Sequence, residues 1–93
     1  MNEQEYFEAF ALNLKKLRKK VKKTQMDVAI DAEMSLSYYS GLEQGKQNPT
    51  LKQLRRLAEV LDCEVKNLVK FKTLAPKAKV IAKKRVIKKR SSK

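Results

Sequence analysis

The reactive side chains of this sequence favour binding over catalysis. The chain contains no histidine and a single cysteine, Cys63, so it lacks both an imidazole base and the ligands of a Cys/His zinc site. The same count excludes a disulfide framework within the chain. Positive charge is abundant, with 23 Lys and Arg against 10 Asp and Glu and a net charge of +13. We therefore expect a protein that binds a polyanion, uses no cofactor or metal, and is not an enzyme.

The excess positive charge lies at the C-terminal end. Residues 1–69 carry twelve Lys and Arg together with all ten Asp and Glu, whereas residues 70–93 carry eleven Lys and Arg and no acidic residue. Such a segment favours a polyanionic partner, most often nucleic acid, and an anionic membrane surface is the lesser alternative. Charge alone does not decide between the two.

Length and hydropathy indicate one small helical domain followed by a tail. Ninety-three residues with 42% hydrophobic content can form one compact core but not two. No run of eighteen apolar residues is present, and the start MNEQEYFEAF is acidic where a signal peptide is basic and then apolar. We expect a soluble cytoplasmic protein with no membrane association.

Apolar spacing and capping residues predict two helices in the first third of the chain. Between residues 6 and 21 the apolar side chains recur at steps of three and four, which is the pattern of an amphipathic helix. Thr24 and Asp27 form a capping-box-like pair that begins a short second helix. The buried side of that helix is formed by Val28, Ala29 and Ala32.

A third short helix begins at Ser35, whose hydroxyl can cap the free N–H groups of the first turn. Tyr39 and Leu42 have the spacing of one helical face and are expected to point inward. Gly45 ends this helix as a left-handed residue. A second glycine, Gly41, lies inside the helix, where it costs about 1 kcal/mol relative to alanine and therefore needs a physical reason.

Two further helices complete the predicted domain. The segment KQNPT is typical of a loop, and Thr50 with Gln53 forms a capping box that begins a fourth helix. Its inward residues are Leu51, Leu54, Leu57, Ala58 and Leu61. A fifth helix at 65–69 closes the core. The prediction is an all-α fold with a five-helix domain at 6–70 and a basic tail at 71–93 that we expect to be disordered.

Two short helices joined by a tight turn within a five-helix unit have the layout of a helix-turn-helix. The run TQMDVAIDAEMSLSYYSGLEQGKQNPTLKQLRRLAEVLDCEVKNLV resembles the phage repressor and Cro-like, xenobiotic-response-element class of helix-turn-helix DNA-binding domains. The resemblance implies a lambda-repressor-like fold and rests on several positions jointly. They are Thr24-Gln25, Ala29, Ala32, Ser35, Leu42 to Gly45, Asn48-Pro49 and Leu57-Ala58. The segment SYYSGLEQG further resembles controller proteins of restriction-modification systems, a subfamily of these regulators.

The resemblance implies a structural ion pair and contacts to DNA phosphates. Glu43 corresponds to a glutamate that in the family is partly buried and forms an ion pair with an arginine of the first helix. Arg18 is the candidate for that arginine. The alternative is that Arg18 and Glu43 are two independent surface charges. Gln25 can present its amide and free backbone N–H groups to a phosphate, unless it is merely a solvated helix-start residue. The loop after the third helix supplies further phosphate contacts from Lys46, Gln47 and Asn48.

Base contacts are expected from the outward face of the third helix. This face presents Leu36, Ser37, Ser40 and Gly41, with Tyr38 at its flank. Many relatives carry a long polar side chain at the position of Gly41, and the missing Cβ could let the backbone or a neighbouring side chain lie closer to the groove. Leu36 can make only apolar contact, for instance with a thymine methyl. The alternatives are solvated serines and packing of Tyr38 at the edge of the core.

A glutamate, Glu33, lies in the turn before the third helix, where the family frequently has glycine and where a positive φ is expected. Such a residue lowers stability by roughly 1 kcal/mol without removing the motif. Cys63 corresponds to an apolar position of the family and is expected in the core.

The leading prediction is a sequence-specific, double-stranded DNA-binding transcriptional regulator, a repressor or autoregulator that acts as a homodimer at the nucleoid. Val69, Phe71 and Leu74 could form the dimer seam, and the tail would add affinity for phosphates without adding sequence information. Two alternatives stay open. One is a protein-interaction module with an unknown partner, such as an antitoxin or a basic coactivator; the other is a tail-driven packaging or RNA-binding protein.

Overall fold

Five α-helices account for most of residues 2–71, the part of the chain that the computed structural model describes. They are α1 (Glu3–Lys20), α2 (Gln25–Asp31), α3 (Leu36–Leu42), α4 (Leu51–Val60) and α5 (Val65–Val69). No strand occurs in this range, which confirms the predicted all-α, five-helix class. Apart from Phe71, the predicted tail, including Leu74, lies outside the described residues. Among the described helices, none combines the length and hydropathy needed to span a bilayer.

The helix starts are fixed by side chains that accept a hydrogen bond from the first turn. Thr24 accepts from the backbone N–H of Asp27, and Thr50 accepts from that of Gln53, each within a reciprocal capping box. Ser35 caps α3 as predicted. At α1 the prediction of a start at residue 6 is three residues late, because Asn2 forms a capping box with Glu5 and begins the helix at the third residue. Apolar periodicity cannot detect a first turn that consists of polar residues.

Four helices end in the same left-handed turn. The residues with positive φ are Lys22, Glu33, Gly45 and Asp62. In each turn the N–H of the next residue returns to the carbonyl five residues before it, as in a Schellman motif. These bonds are Lys23 to Arg18, Met34 to Ala29, Lys46 to Gly41 and Cys63 to Ala58. The left-handed Gly45 and the positive φ of Glu33 confirm the predictions for both positions.

The core lies where the inward faces of all five helices meet. Its buried residues are Phe10, Leu14, Val28, Ala29, Ala32, Tyr39, Leu42, Leu57, Ala58, Leu61 and Leu68. Cys63, expected in the core, is only partly buried and packs against it. Leu51 does not: it is 74% exposed, because it is the first residue of α4 and lies beyond the edge of the core. The inward prediction for Leu51 is therefore wrong.

Packing of the short helices fixes the position of α3. Helix α2 packs against α3, α4 packs against α2 and α5, and α5 packs against α1. The contact between α2 and α3 is close because Ala29 and Ala32, both fully buried, add little volume between them. Beyond α5, the ring of Phe71 meets the ring of Tyr6 edge to face at 5.2 Å, so the chain end of the described region is attached to α1.

Candidate nucleic-acid interface

Helix α3 has one face buried in the core and one at the surface. Tyr39 and Leu42 are fully buried, as their spacing predicts. Leu36 is 40% exposed and Ser37 is exposed, so the first turn of the outer face is accessible to a partner. Ser40 is half-buried and accepts a hydrogen bond of 2.9 Å from the amide of Gln44, one turn further along.

Gly41 lies on the same face of α3 as Ser37 but is covered there, which corrects the prediction that this outward position is open to a partner. The residue is buried, and a Cβ added to it would lie 2.8 Å from Cγ of Gln47 and 3.4 Å from its Nε2. Such a distance is shorter than packed carbon atoms allow. A Cβ at this position would have to displace the side chain of Gln47, which lies across α3 at this point. Sequence spacing could not show this, because the contact depends on the path of the loop after α3.

Tyr38 is tied to the protein at the flank of α3. Its ring is half-buried against the core, and its hydroxyl donates a hydrogen bond of 2.9 Å to Oε1 of Gln53. The same oxygen accepts the backbone N–H of Thr50 at 2.9 Å in the capping box of α4. Tyr38 therefore packs at the edge of the core, which is the alternative given above, and its hydroxyl links α3 to the start of α4.

Arg18 and Glu43 form the predicted ion pair. Nε of Arg18 lies 2.6 Å from one carboxylate oxygen of Glu43, and Nη2 lies 3.1 Å from the other, so the contact is bidentate. The two side chains are only 11% and 2% exposed. Two independent surface charges are therefore excluded at these positions.

The carboxylate of Glu43 has two further donors that sequence reasoning missed. Gln25 Nε2 donates to it at 2.9 Å and the hydroxyl of Tyr39 at 2.5 Å. Arg18 in turn donates from Nη1 to the backbone carbonyl of Lys23 at 2.9 Å. The carboxylate thereby joins α1, the first residue of α2 and the last turn of α3. A tyrosine four residues before a buried glutamate on one helix is the signal that could have revealed the Tyr39 bond.

The pKa values in this network follow from burial and hydrogen bonding. Burial opposes ionisation of Glu43, but the hydrogen bonds from Arg18, Tyr39 and Gln25 together outweigh it, and the pKa of Glu43 falls below its ordinary value of 4.5. The hydrogen bond to Glu43 raises the pKa of Arg18. Burial, followed by the bond to Glu43, raises the pKa of Tyr39. The glutamate is therefore a carboxylate and the tyrosine a donor at neutral pH.

The residues predicted to contact phosphates differ in their solvent exposure. Lys46 and Asn48 are exposed in the loop after α3, whereas Gln47 is half-buried over Gly41. Gln25 donates one amide hydrogen to Glu43, so its second amide hydrogen and its backbone N–H remain for a phosphate contact. Within residues 2–71, no group of three or more His, Cys, Asp or Glu side chains is placed to hold a metal ion.

Comparison with known proteins extends this description. The sequence profile of a family described as Helix-turn-helix matches residues 14–68, which is more than half of the chain and includes α2 and α3. None of the curated proteins compared with the chain matches it. Among solved structures, the chain is similar to the restriction-modification controller protein C.AhdI from Aeromonas hydrophila. The TM-score is 0.65 and the sequence identity 31%, over 67% of this chain and 94% of that protein.

Proposed function

The chain belongs to the helix-turn-helix family of Cro/C1-type regulators, and from this we propose that it is a sequence-specific DNA-binding transcriptional regulator of the controller type. The observation that carries the proposal is the division of α3 into two faces. Tyr39 and Leu42 anchor one face in the core, while Leu36 and Ser37 are exposed on the other. A short helix held rigidly in this way can enter the major groove with its first turn toward the bases.

In this proposal the first turn of α3 supplies the base contacts. Leu36 meets a thymine methyl, and the hydroxyl of Ser37 donates to or accepts from a base edge. Ser40 contributes with the remaining hydrogen-bonding capacity of its hydroxyl. Tyr38 offers the edge of its half-buried ring, since its hydroxyl is held by Gln53. Few polar groups face the bases, so DNA shape contributes to the selectivity.

Phosphate contacts hold the helix in register on the duplex. Lys46 and Asn48 meet the backbone from the loop after α3, and Gln25 meets it with its free amide hydrogen and backbone N–H. Lys46 carries a full charge, so its contact should steepen the dependence of log K on log salt by about one unit. Residues 71–93 add nonspecific attraction to neighbouring phosphates, since they contain only positive charges.

The regulator acts on DNA as a homodimer in this proposal. Tyr6 and Val69 are nearly half exposed and lie with Phe71 around one apolar cleft. A second copy can cover these side chains, and two α3 helices then reach half-sites about one helical turn apart. We place the dimer on its own promoter as a repressor or autoregulator; the similarity to a restriction-modification controller protein supports a regulatory role.

Selection of bound sequences from random duplex DNA tests the proposal. We expect enrichment of a two-fold symmetric site by the full chain, and a weaker but equally selective enrichment by a chain that ends at Phe71. Leu36→Ala should change the enriched sequence, whereas Leu12→Ala should not, although Leu12 is an exposed leucine of α1. If neither form of the protein enriches any sequence, the proposal is wrong and a tail-driven nucleic-acid-binding protein is indicated.

A further inference from the structure

The side chain of Gln47 occupies the place that a side chain at residue 41 would take. Gly41 lies four residues after Ser37, so both positions belong to the same face of α3. The Cγ and Nε2 atoms of Gln47 are within 2.8 and 3.4 Å of the point where a Cβ of residue 41 would be. A loop residue thus continues the face that Leu36 and Ser37 begin.

The loop that carries Gln47 is fixed to α3 by its backbone. The N–H of Lys46 donates to the carbonyl of Gly41 at 2.9 Å, and the N–H of Gly45 donates to the carbonyl of Leu42 at 3.3 Å. Gly45, with a φ of 74°, allows the chain to turn back at this point. Gln47 therefore begins one residue after a hydrogen-bonded anchor, and its position over Gly41 follows from the turn.

The amide of Gln47 has no hydrogen-bond partner among residues 2–71, although the neighbouring amides of Gln25, Gln44 and Gln53 are all engaged. No buried side-chain nitrogen or oxygen of the described residues lacks a partner. The unpaired amide must therefore reach solvent while its stem is packed on α3. A side chain whose stem is packed on the helix while its amide reaches solvent is pre-organised to bind a ligand.

We propose that Gln47 is a specificity-determining residue, whose amide reads a base edge from across Gly41; this inference rests on the proposed function. An amide carries one acceptor and two donors, and in the major groove it matches N6 and N7 of adenine. The position of Gln47 on the face that Leu36 and Ser37 begin favours a base edge over a phosphate, which the neighbouring charged Lys46 is better suited to bind. The glycine in α3 and the glutamine in the loop act together to place an adenine contact one turn beyond Ser37.

The test compares the DNA sequences selected by the unaltered protein with those selected by three variants of the full chain. Gln47→Ala should reduce the preference at one base pair of each half-site by about 5- to 150-fold and leave the others unchanged. Gly41→Ala should reduce the preference at the same base pair, because the added Cβ displaces Gln47. The double variant should select the same sequences as Gln47→Ala alone, since both changes remove one contact.

A fourth variant tests the chemistry of the contact. Gln47→Glu should move the preference at that base pair from adenine toward cytosine, whose N4 amino group donates to a carboxylate. Glu59→Ala on the exposed side of α4 is the control and should leave all preferences unchanged. Far-ultraviolet circular dichroism of each variant shows whether the fold is retained.

The outcomes separate the inference from the function on which it rests. In one outcome the unaltered protein selects a sequence, but Gln47→Ala loses affinity equally for all sequences. That result would assign Gln47 to a phosphate and would overturn this inference without affecting the proposed function. A Gly41→Ala protein with unchanged preferences would also overturn it, because the pairing of the two residues would then be irrelevant. The absence of any sequence preference in the unaltered protein would instead overturn the proposed function.

Discussion

The hydroxyl of Tyr39 and the carboxylate of Glu43 face each other one helical turn apart, inside a network that also contains Arg18 and Gln25. Glu43 receives four donated hydrogen bonds and is almost entirely removed from water. A buried charge of this kind is tolerated only because its partners replace the lost hydration. The relationship makes Glu43 the group on which the mutual placement of α1, α2 and α3 depends.

Removal of Glu43 should therefore be severe. Glu43→Ala leaves the guanidinium of Arg18 buried without a counter-charge, and we expect the free energy of unfolding to fall by about 3–5 kcal/mol. Urea denaturation followed by circular dichroism measures the change. Glu59→Ala is the matched control, because its ion pair with Arg55 is exposed and should contribute less than about 1 kcal/mol. Equal effects of the two substitutions would contradict the assigned role.

The hydroxyl of Tyr39 should contribute separately from the packing of its ring. Tyr39→Phe keeps the ring in the core and removes one donor to a charged acceptor, which should lower the free energy of unfolding by about 1.5–3 kcal/mol. Tyr38→Phe removes the bond to the neutral Gln53 and should cost roughly 0.5–1.5 kcal/mol. A larger effect at Tyr38 than at Tyr39 would be inconsistent with the network.

Acid should weaken the fold through Glu43. The pKa of this carboxyl is lower in the folded chain than its ordinary value of 4.5, so the unfolded chain binds more protons in this range. Its contribution is complete above about pH 5 and is lost as pH falls through the lowered pKa of the folded state. Glu43→Gln should be less stable at pH 7, with a shallower loss of stability on acidification. Unfolding free energies measured from about pH 7 to 3 test this, and parallel curves for the two proteins would contradict it.

Glu33→Gly should stabilise the protein. The φ of 61° at Glu33 is unfavourable for a side chain with a Cβ, and glycine removes that cost, so a gain of about 1 kcal/mol is expected. Glu33→Ala is the control: it removes the exposed ion pair with Arg56 but keeps the Cβ, and it should show no gain. Thermal unfolding of the three proteins decides whether the backbone is the cause.

Gly41→Ala should depend on the residue at position 47. In a Gln47→Ala background the added methyl group has space, and the reduced entropy of the unfolded chain should raise stability by about 0.4–1 kcal/mol. In the unaltered protein the methyl meets Cγ of Gln47, so the gain should be absent. Gly45→Ala is expected to destabilise both backgrounds by about 1–2 kcal/mol, since its φ is 74°. Equal effects of Gly41→Ala in both backgrounds would contradict the contact.

Leu36→Gln should alter recognition without altering the fold. The side chain is exposed, and a glutamine there can bind adenine, so selected DNA should change at one base pair by about 5- to 150-fold in preference. Leu12→Gln on the exposed side of α1 provides the comparison. Sequence selection with both variants is the measurement, and an unchanged preference for Leu36→Gln would argue against the orientation proposed for α3.

Local chemistry made the helices predictable, while contacts between distant segments were harder to foresee. Thr24, Ser35 and Thr50 were found because an N-cap acts within three residues of its own position. Arg18 and Glu43 came from family resemblance, since no local rule pairs residues 25 positions apart. The exposure expected for Gly41 is wrong, because helical spacing takes no account of a loop whose Gln47 side chain covers that face of the helix.

The separation of α3 into a buried face and an exposed face has an evolutionary consequence. Arg18 and Tyr39, which hold the carboxylate of Glu43, are buried, whereas Leu36 and Ser37 are exposed and Gln47 is half-buried, and these three contribute little to the core. In the proposed function, changes at the outer positions redirect the protein to a new operator while the scaffold stays intact. Diverged copies of such a gene could acquire separate targets by a few substitutions, without first acquiring compensating stability.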